Sequence, residues 1–159
     1  MKQIVGIAEM YVGSSPGDEI ITYALGSCLG IAVYDPQAKV GGLLHVMLPL
    51  SNIDPDKARH KPCMFVDTGL PLLFNQCYSL GADKSRVVVK VAGGANLRTS
   101  GRDSFQIGKR NFAMLRELLR KNQIPIQAQD VGGCCSRTMS LNMADGSIAV
   151  RSNGQTNPL

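Results

Sequence analysis

LGSCLGIAVYDPQAKVGGLLHVMLP, residues 25–49, is the stretch whose reading decides the fold. Residues 29–34 read as a strand. Asp35-Pro36-Gln37-Ala38-Lys39 supplies turn chemistry, and residues 40–48 form a second strand stopped by Pro49. Together they make a β-hairpin. With the turn centred on Gln37, paired positions sum to about 73–75, so Cys28 faces positions 45–47 of the partner strand. A direct pair places Cβ atoms ~4.5–5.5 Å apart and a diagonal pair ~7–8 Å. Cys28 and His45 therefore come within thiol–imidazole reach in two of three registers, provided they share a face.

Upstream, residues 3–12 alternate and read as one strand, followed by the loop Ser14-Ser15-Pro16-Gly17-Asp18 and a short strand over residues 19–23. Downstream, residues 51–61 are polar and read as a mobile loop. Residues 62–80 look helical, with Gly81 as the stop. Residues 86–91 form an apolar strand ended by Gly93-Gly94-Ala95-Asn96, and a polar loop runs on to Ser104. A second helix spans roughly 107–121, with Phe112, Leu115, Leu118 and Leu119 on one face. Residues 124–131 are a strand, and Asp145-Gly146 joins a hairpin of residues 137–143 and 147–150. Residues 152–159 are expected to fray. Terminal hairpins and two main helices favour an α+β sandwich, with the helices over one face of a mixed sheet, over a doubly wound parallel sheet. Residues 1–159 read as a single domain, without repeats or linkers.

Composition limits the function. The 159 residues carry a formal charge of +5 and are 44% hydrophobic and 18% charged, which excludes a mostly disordered chain. A domain of this size buries about 70% of the surface its unfolded chain exposes, enough for a core without disulfides. No apolar run approaches the ~18–20 residues of a membrane helix, and the N-terminus lacks a signal-peptide pattern. The five cysteines show no disulfide framework and read as thiols of a reducing, cytoplasmic compartment. Ten of the 17 basic residues lie between Lys84 and Lys121, a charge that suits an acidic partner or simply a solvated face. Zinc-finger spacing and aromatic RNA-binding strands are missing, which disfavours nucleic acid.

The candidate chemistry gathers in the hairpin. Gly26-Ser27 let the backbone turn sharply ahead of Cys28, leaving N–H groups near Ser27 and Leu29 free to hold an oxyanion. A thiolate paired with an imidazolium has a depressed pKa and is a strong nucleophile. The competing reading is that Cys28 is a small buried hydrophobe and His45 a satisfied core residue. His60 lies between Arg59 and Lys61 and makes a poor base. Cys63 and Cys77 read as core, and His60-x-x-Cys63 is too isolated for a metal site. Gly93-Gly94 and Gly132-Gly133 lack phosphate-loop patterns and read as tight turns. No cofactor or metal is implied.

Leu25-Gly26-Ser27-Cys28-Leu29-Gly30 entering a hairpin, then Gly41-Gly42-Leu43-Leu44-His45-Val46-Met47-Leu48-Pro49, closely resembles the CheD family of chemoreceptor glutamine deamidases. Lys90-Val91-Ala92-Gly93-Gly94-Ala95-Asn96 and Ile107-Gly108-Lys109-Arg110-Asn111 extend the resemblance, which covers residues 3 to 150. Lys109 departs from the Glu often found there. The resemblance implies a Cys–His–Thr trio, with Cys28 as nucleophile, His45 as base and Thr22 orienting the imidazole. Nothing in the bare sequence distinguishes Thr22 from an ordinary strand threonine. The resemblance further implies a three-layer α/β/β fold related to toxin glutamine deamidases. The implied activity is hydrolysis of glutamine side chains on methyl-accepting chemotaxis receptors, with possible receptor methylesterase activity. It also implies binding to a CheC-type phosphatase. The alternative is a regulatory adaptor that binds phosphatase or receptor, its thiol site mainly a docking pocket.

Overall fold

The computed structural model describes residues 1–97 and 105–159. Its centre is the hairpin. Strands β4 (Leu29–Asp35) and β5 (Val40–Val46) are buried along their whole length, which explains why both read as nearly continuous apolar runs. They pair antiparallel from Leu29↔Val46 to Asp35↔Val40, so paired positions sum to 75. Side-chain alternation then divides two cores. Leu29, Ile31, Val33, Leu44 and Val46 face the helices, whereas Ala32, Tyr34 and Leu43 face the other sheet.

Around this hairpin one five-stranded sheet is completed by β2 (Met10–Gly13), β6 (Val88–Gly93) and β7 (Ile126–Val131), in the order β2-β5-β4-β6-β7. The second sheet contains β1 (Lys2–Val5), β3 (Glu19–Leu25), β8 (Arg137–Asn142), β9 (Ile148–Ser152) and β10 (Gln155–Pro158), ordered β1-β3-β8-β9-β10. Each sheet is mixed, with one parallel pair: β6–β7 in the first and β1–β3 in the second. Helices α2 (Val66–Ser79) and α3 (Ile107–Lys121) pack on the first sheet through Leu70, Leu73, Leu115 and Leu119. Full burial of such side chains stabilises the fold by about 1.5–3 kcal/mol each. The layers are helices, sheet and sheet, in agreement with the expected α+β sandwich.

The turn end of the hairpin is locked by Asp35. Its carboxylate accepts N–H groups from Gln37, Ala38 and Asp83 at 2.9–3.1 Å. The Arg86 Nε–H group reaches both of its oxygens at 3.1 Å. Burial alone would raise this carboxyl; Arg86 and the three N–H donors outweigh it and hold Asp35 at about 2.

Four local expectations are corrected. Residues 3–12 are two strands in different sheets. The chain turns a corner at residues 6–9, where Ala8 has φ 61° and the Glu9 N–H bonds the Gly6 carbonyl. Alternation continues through the corner, so periodicity alone cannot reveal it. The polar segment 51–61 is ordered as a 3₁₀ turn (Ser51–Ile53) and helix α1 (Pro55–His60). The Asp54 carboxylate caps α1 by accepting the Lys57 N–H at 3.0 Å. The helix expected from residue 62 begins as a 3₁₀ turn, Pro62–Met64, before α2. The tail expected to fray is strand β10, returned by Asn153-Gly154. Both turn residues have positive φ (52° and 75°), as a two-residue hairpin turn requires. The polar loop expected to run to Ser104 falls at residues 98–104, outside the described residues.

Candidate active site

The open end of the hairpin carries the candidate side chains. His45 pairs with Gly30, and alternation points its ring toward the second sheet. Cys28 lies two residues before Gly30 and packs against the same inter-sheet core. The two therefore share a face in the diagonal register. Ser27 and Cys28 precede the β-ladder. Among the described residues no backbone acceptor takes the N–H of either one. Leu29 is already in the ladder, opposite Val46 and Gly93, with its side chain in the helix-side core.

Thr22 reaches the site from β3 in the facing sheet. Its Oγ1 lies 2.7 Å from Nδ1 of His45 and 2.8 Å from the Val5 carbonyl oxygen. The carbonyl can only accept, so the single hydroxyl proton goes to Val5 and Nδ1–H of His45 donates to the hydroxyl. This sets the tautomer: Nε2 is the bare nitrogen, and it is buried without a partner among the described residues. The corner at residues 6–9 also holds the His45 backbone. Ala8 N–H donates to the His45 carbonyl and His45 N–H to the Glu9 carbonyl, both at 3.0 Å.

Electrostatics correct one sequence expectation. Burial pushes the Cys28 thiol up, partly offset by its own backbone N–H. Burial also lowers His45 to about 4. Near neutral pH the pair rests as thiol and neutral imidazole, not as thiolate and imidazolium. The arrangement suits a base that takes the sulfur proton as the sulfur attacks.

Sequence reasoning missed the scaffold behind the thiol. Gly94 N–H donates to the Cys28 carbonyl at 2.8 Å and Ala95 N–H to the Gly26 carbonyl at 2.9 Å. Gly93 has φ 114°, and a Cβ there would collide with the Cys28 carbonyl oxygen. The Gly-Gly pair is more than a strand-end turn; it lets two backbones touch. Asn111, fully buried on α3, donates to the carbonyls of Ser27 and Met47, each at 3.0 Å. Its sequence signal was a polar residue in the apolar stripe Gly108, Asn111, Leu115, Leu119. His60 is exposed at the end of α1, and Cys77 is buried with its thiol pushed up to about 12. Among the described residues no three His, Cys, Asp or Glu side chains gather as a metal site, and no helix is long and apolar enough to cross a membrane.

The architecture is that of an α+β sandwich with a thiol and a hydroxyl-oriented imidazole on one inter-sheet face. The chain belongs to the CheD family: the model of CheD chemotactic sensory transduction proteins matches residues 47–152. It is 50% identical over 151 residues to the probable chemoreceptor glutamine deamidase CheD 1 of Syntrophus aciditrophicus, covering 95% of this chain and 94% of that one. It is 44% identical over 156 residues to the probable chemoreceptor glutamine deamidase CheD of Solibacter usitatus, covering 98% and 92%. The corresponding CheD 2 protein of Anaeromyxobacter dehalogenans is 42% identical over 155 residues, covering 98% and 97%.

Proposed function

We propose that this chain is a chemoreceptor glutamine deamidase, a thiol amidohydrolase acting through Cys28, His45 and Thr22. The observation that carries the reading is the Thr22–His45 bond of 2.7 Å, which leaves a buried, bare Nε2 on the face that also holds Cys28. A ring serving only as core would not need its second nitrogen unpaired. The names of the relatives supply the substrate class.

In the first half-reaction Nε2 of His45 takes the thiol proton as Cys28 Sγ attacks the carboxamide carbon. The oxyanion faces the Ser27 and Cys28 N–H groups. The imidazolium gives its proton to the departing nitrogen, so ammonia leaves and a thioester remains. Nε2 then takes a proton from water; the resulting hydroxide attacks the thioester, and the proton returns to sulfur. The products are glutamate and the free thiol. The same acyl chemistry would cleave a receptor glutamyl methyl ester, with methanol leaving instead of ammonia. Thr22 keeps Nε2, rather than Nδ1, as the basic nitrogen throughout.

Cytoplasmic location, methyl-accepting receptors as substrate and a CheC-type phosphatase as partner complete the proposal; nucleic acid and membrane insertion have no part in it. Mass spectrometry of receptor fragments incubated with wild-type and Cys28→Ala protein tests it. Amide-to-acid conversion by the wild type alone is expected. Conversion by neither, with partner binding retained, would establish the adaptor reading instead.

A further inference from the structure

We infer that Asn111 is a positioning residue for this reaction, one that sets the separation between the Cys28 sulfur and the His45 imidazole. The inference rests on the deamidase reading above. Asn111 sits in the second turn of α3, fully excluded from solvent. Its Nδ2 donates one hydrogen to the Ser27 carbonyl and one to the Met47 carbonyl, each at 3.0 Å. Two carbonyl oxygens around one amide group identify that group as the NH₂ end. Ser27 is the residue before the nucleophile, and Met47 lies two residues past the base. A single amide therefore ties together the two chain segments that bear the reacting groups, at the end of the hairpin where neither remains inside the β4–β5 ladder.

Two observations make this a mount rather than a chance contact. Oδ1 of Asn111 is buried without a partner among the described residues, an arrangement that costs stability unless the two N–H donors do something in return. The helix is also seated hard against the thiol loop's other support. A Cβ at Gly108 would lie 2.5 Å from the Gly94 carbonyl oxygen and 2.6 Å from that of Ala95. With α3 so fixed, the donors of Asn111 have little freedom to follow a drifting loop. Attack by sulfur with proton transfer to nitrogen depends on both atoms meeting the substrate in one geometry, and misplacement by about 1 Å costs about 10²-fold.

The test compares Asn111→Leu, which keeps the volume and removes both donors, with Leu115→Ala. Leu115 is buried one turn further along α3, in the helix-side core. Deamidation kinetics on a receptor fragment, melting temperature and the pH profile of Cys28 alkylation by iodoacetamide are measured for each. Asn111→Leu is expected to lower kcat by about 10–100-fold with KM within about two-fold. Its alkylation should slow at pH 7, where His45 must accept the proton, and match wild type at strongly alkaline pH, where the thiolate forms unaided. Leu115→Ala should lower the melting temperature and leave kcat and the alkylation profile near wild type. If Asn111→Leu does not fold, Asn111→Ser, which keeps one donor, is read in the same way. An unchanged kcat and profile, a change in KM alone, or an equal loss of kcat in Leu115→Ala would overturn the inference. A wild type without deamidase activity but with the alkylation difference intact would overturn the function and leave the positioning role standing.

Discussion

The hydroxyl of Thr22 accepts Nδ1–H of His45 at 2.7 Å while donating to the Val5 carbonyl at 2.8 Å, so a strand of one sheet orients an imidazole on the other. Thr22→Val keeps the shape but strands two buried polar atoms. Activity should fall by about 10²-fold and stability by about 1–3 kcal/mol, while Thr22→Ser retains most of both. Deamidation rates and urea midpoints of the two variants check this; a fully active Thr22→Val would show that the hydroxyl does not orient the ring.

His45 is neutral down to about pH 4, so kcat/KM should stay level well below 6.5 and fall only as pH approaches 4. In His45→Ala, alkylation of Cys28 at pH 7 should slow by about 10²-fold and recover only as the thiol ionises above its ordinary 9. In the wild type Cys28 should also label faster than Cys77, whose thiol is pushed up to about 12. A pH profile falling near 6.5 would contradict the buried neutral ring.

Acid should weaken the fold through the same residue. Between pH 6.5 and 4 the unfolded chain binds a proton on His45 that the folded chain does not. Stability is therefore complete above 6.5 and declines as pH falls through that window. His45→Gln should remove this part of the slope in urea midpoints measured at pH 7 and pH 4.5. Asp35, held near 2, adds a second loss only below its ordinary 3.8.

Asp35→Asn leaves Arg86 without its carboxylate at the turn end of the hairpin, and should cost about 3 kcal/mol by urea denaturation. Asp35 faces Val40, at the opposite end of the ladder from the Leu29–Val46 pair beside the thiol. The protein that remains folded should therefore keep kcat near wild type.

Gly93→Ala drives a Cβ into the Cys28 carbonyl oxygen at φ 114° and should lower kcat by about 10²-fold. Gly154→Ala, at φ 75° with open space around it, should cost only about 1–2 kcal/mol of stability and no activity. Kinetics and melting curves of the pair separate a crowded site from simple backbone strain.

Much of this molecule was legible from residue order. The β4–β5 hairpin, helix α3 and the β8–β9 turn at Asp145-Gly146 follow from periods and turn residues that act over a few positions. Cys28 and His45 could be placed near one another because turn length limits the register. The corner at residues 6–9 could not be read, because alternation passes through it unbroken, yet it separates β1, whose Val5 carbonyl accepts from Thr22, from β2, and it holds the His45 backbone. The Asn153-Gly154 turn is itself a two-residue hairpin signal, and the strand it returns outweighs the usual fraying of chain ends.

What residue order determined by itself, then, was local pairing: which neighbouring strands fold back on each other and which positions can come opposite. Only the packing of layers decided the chemistry of that face. Thr22 lies 23 residues from His45, and Asn111 lies 84 from Ser27; no short-range period links them. Burial between the sheets, which keeps the imidazole neutral, is a property of several segments excluding water together, and no one of them carries it alone.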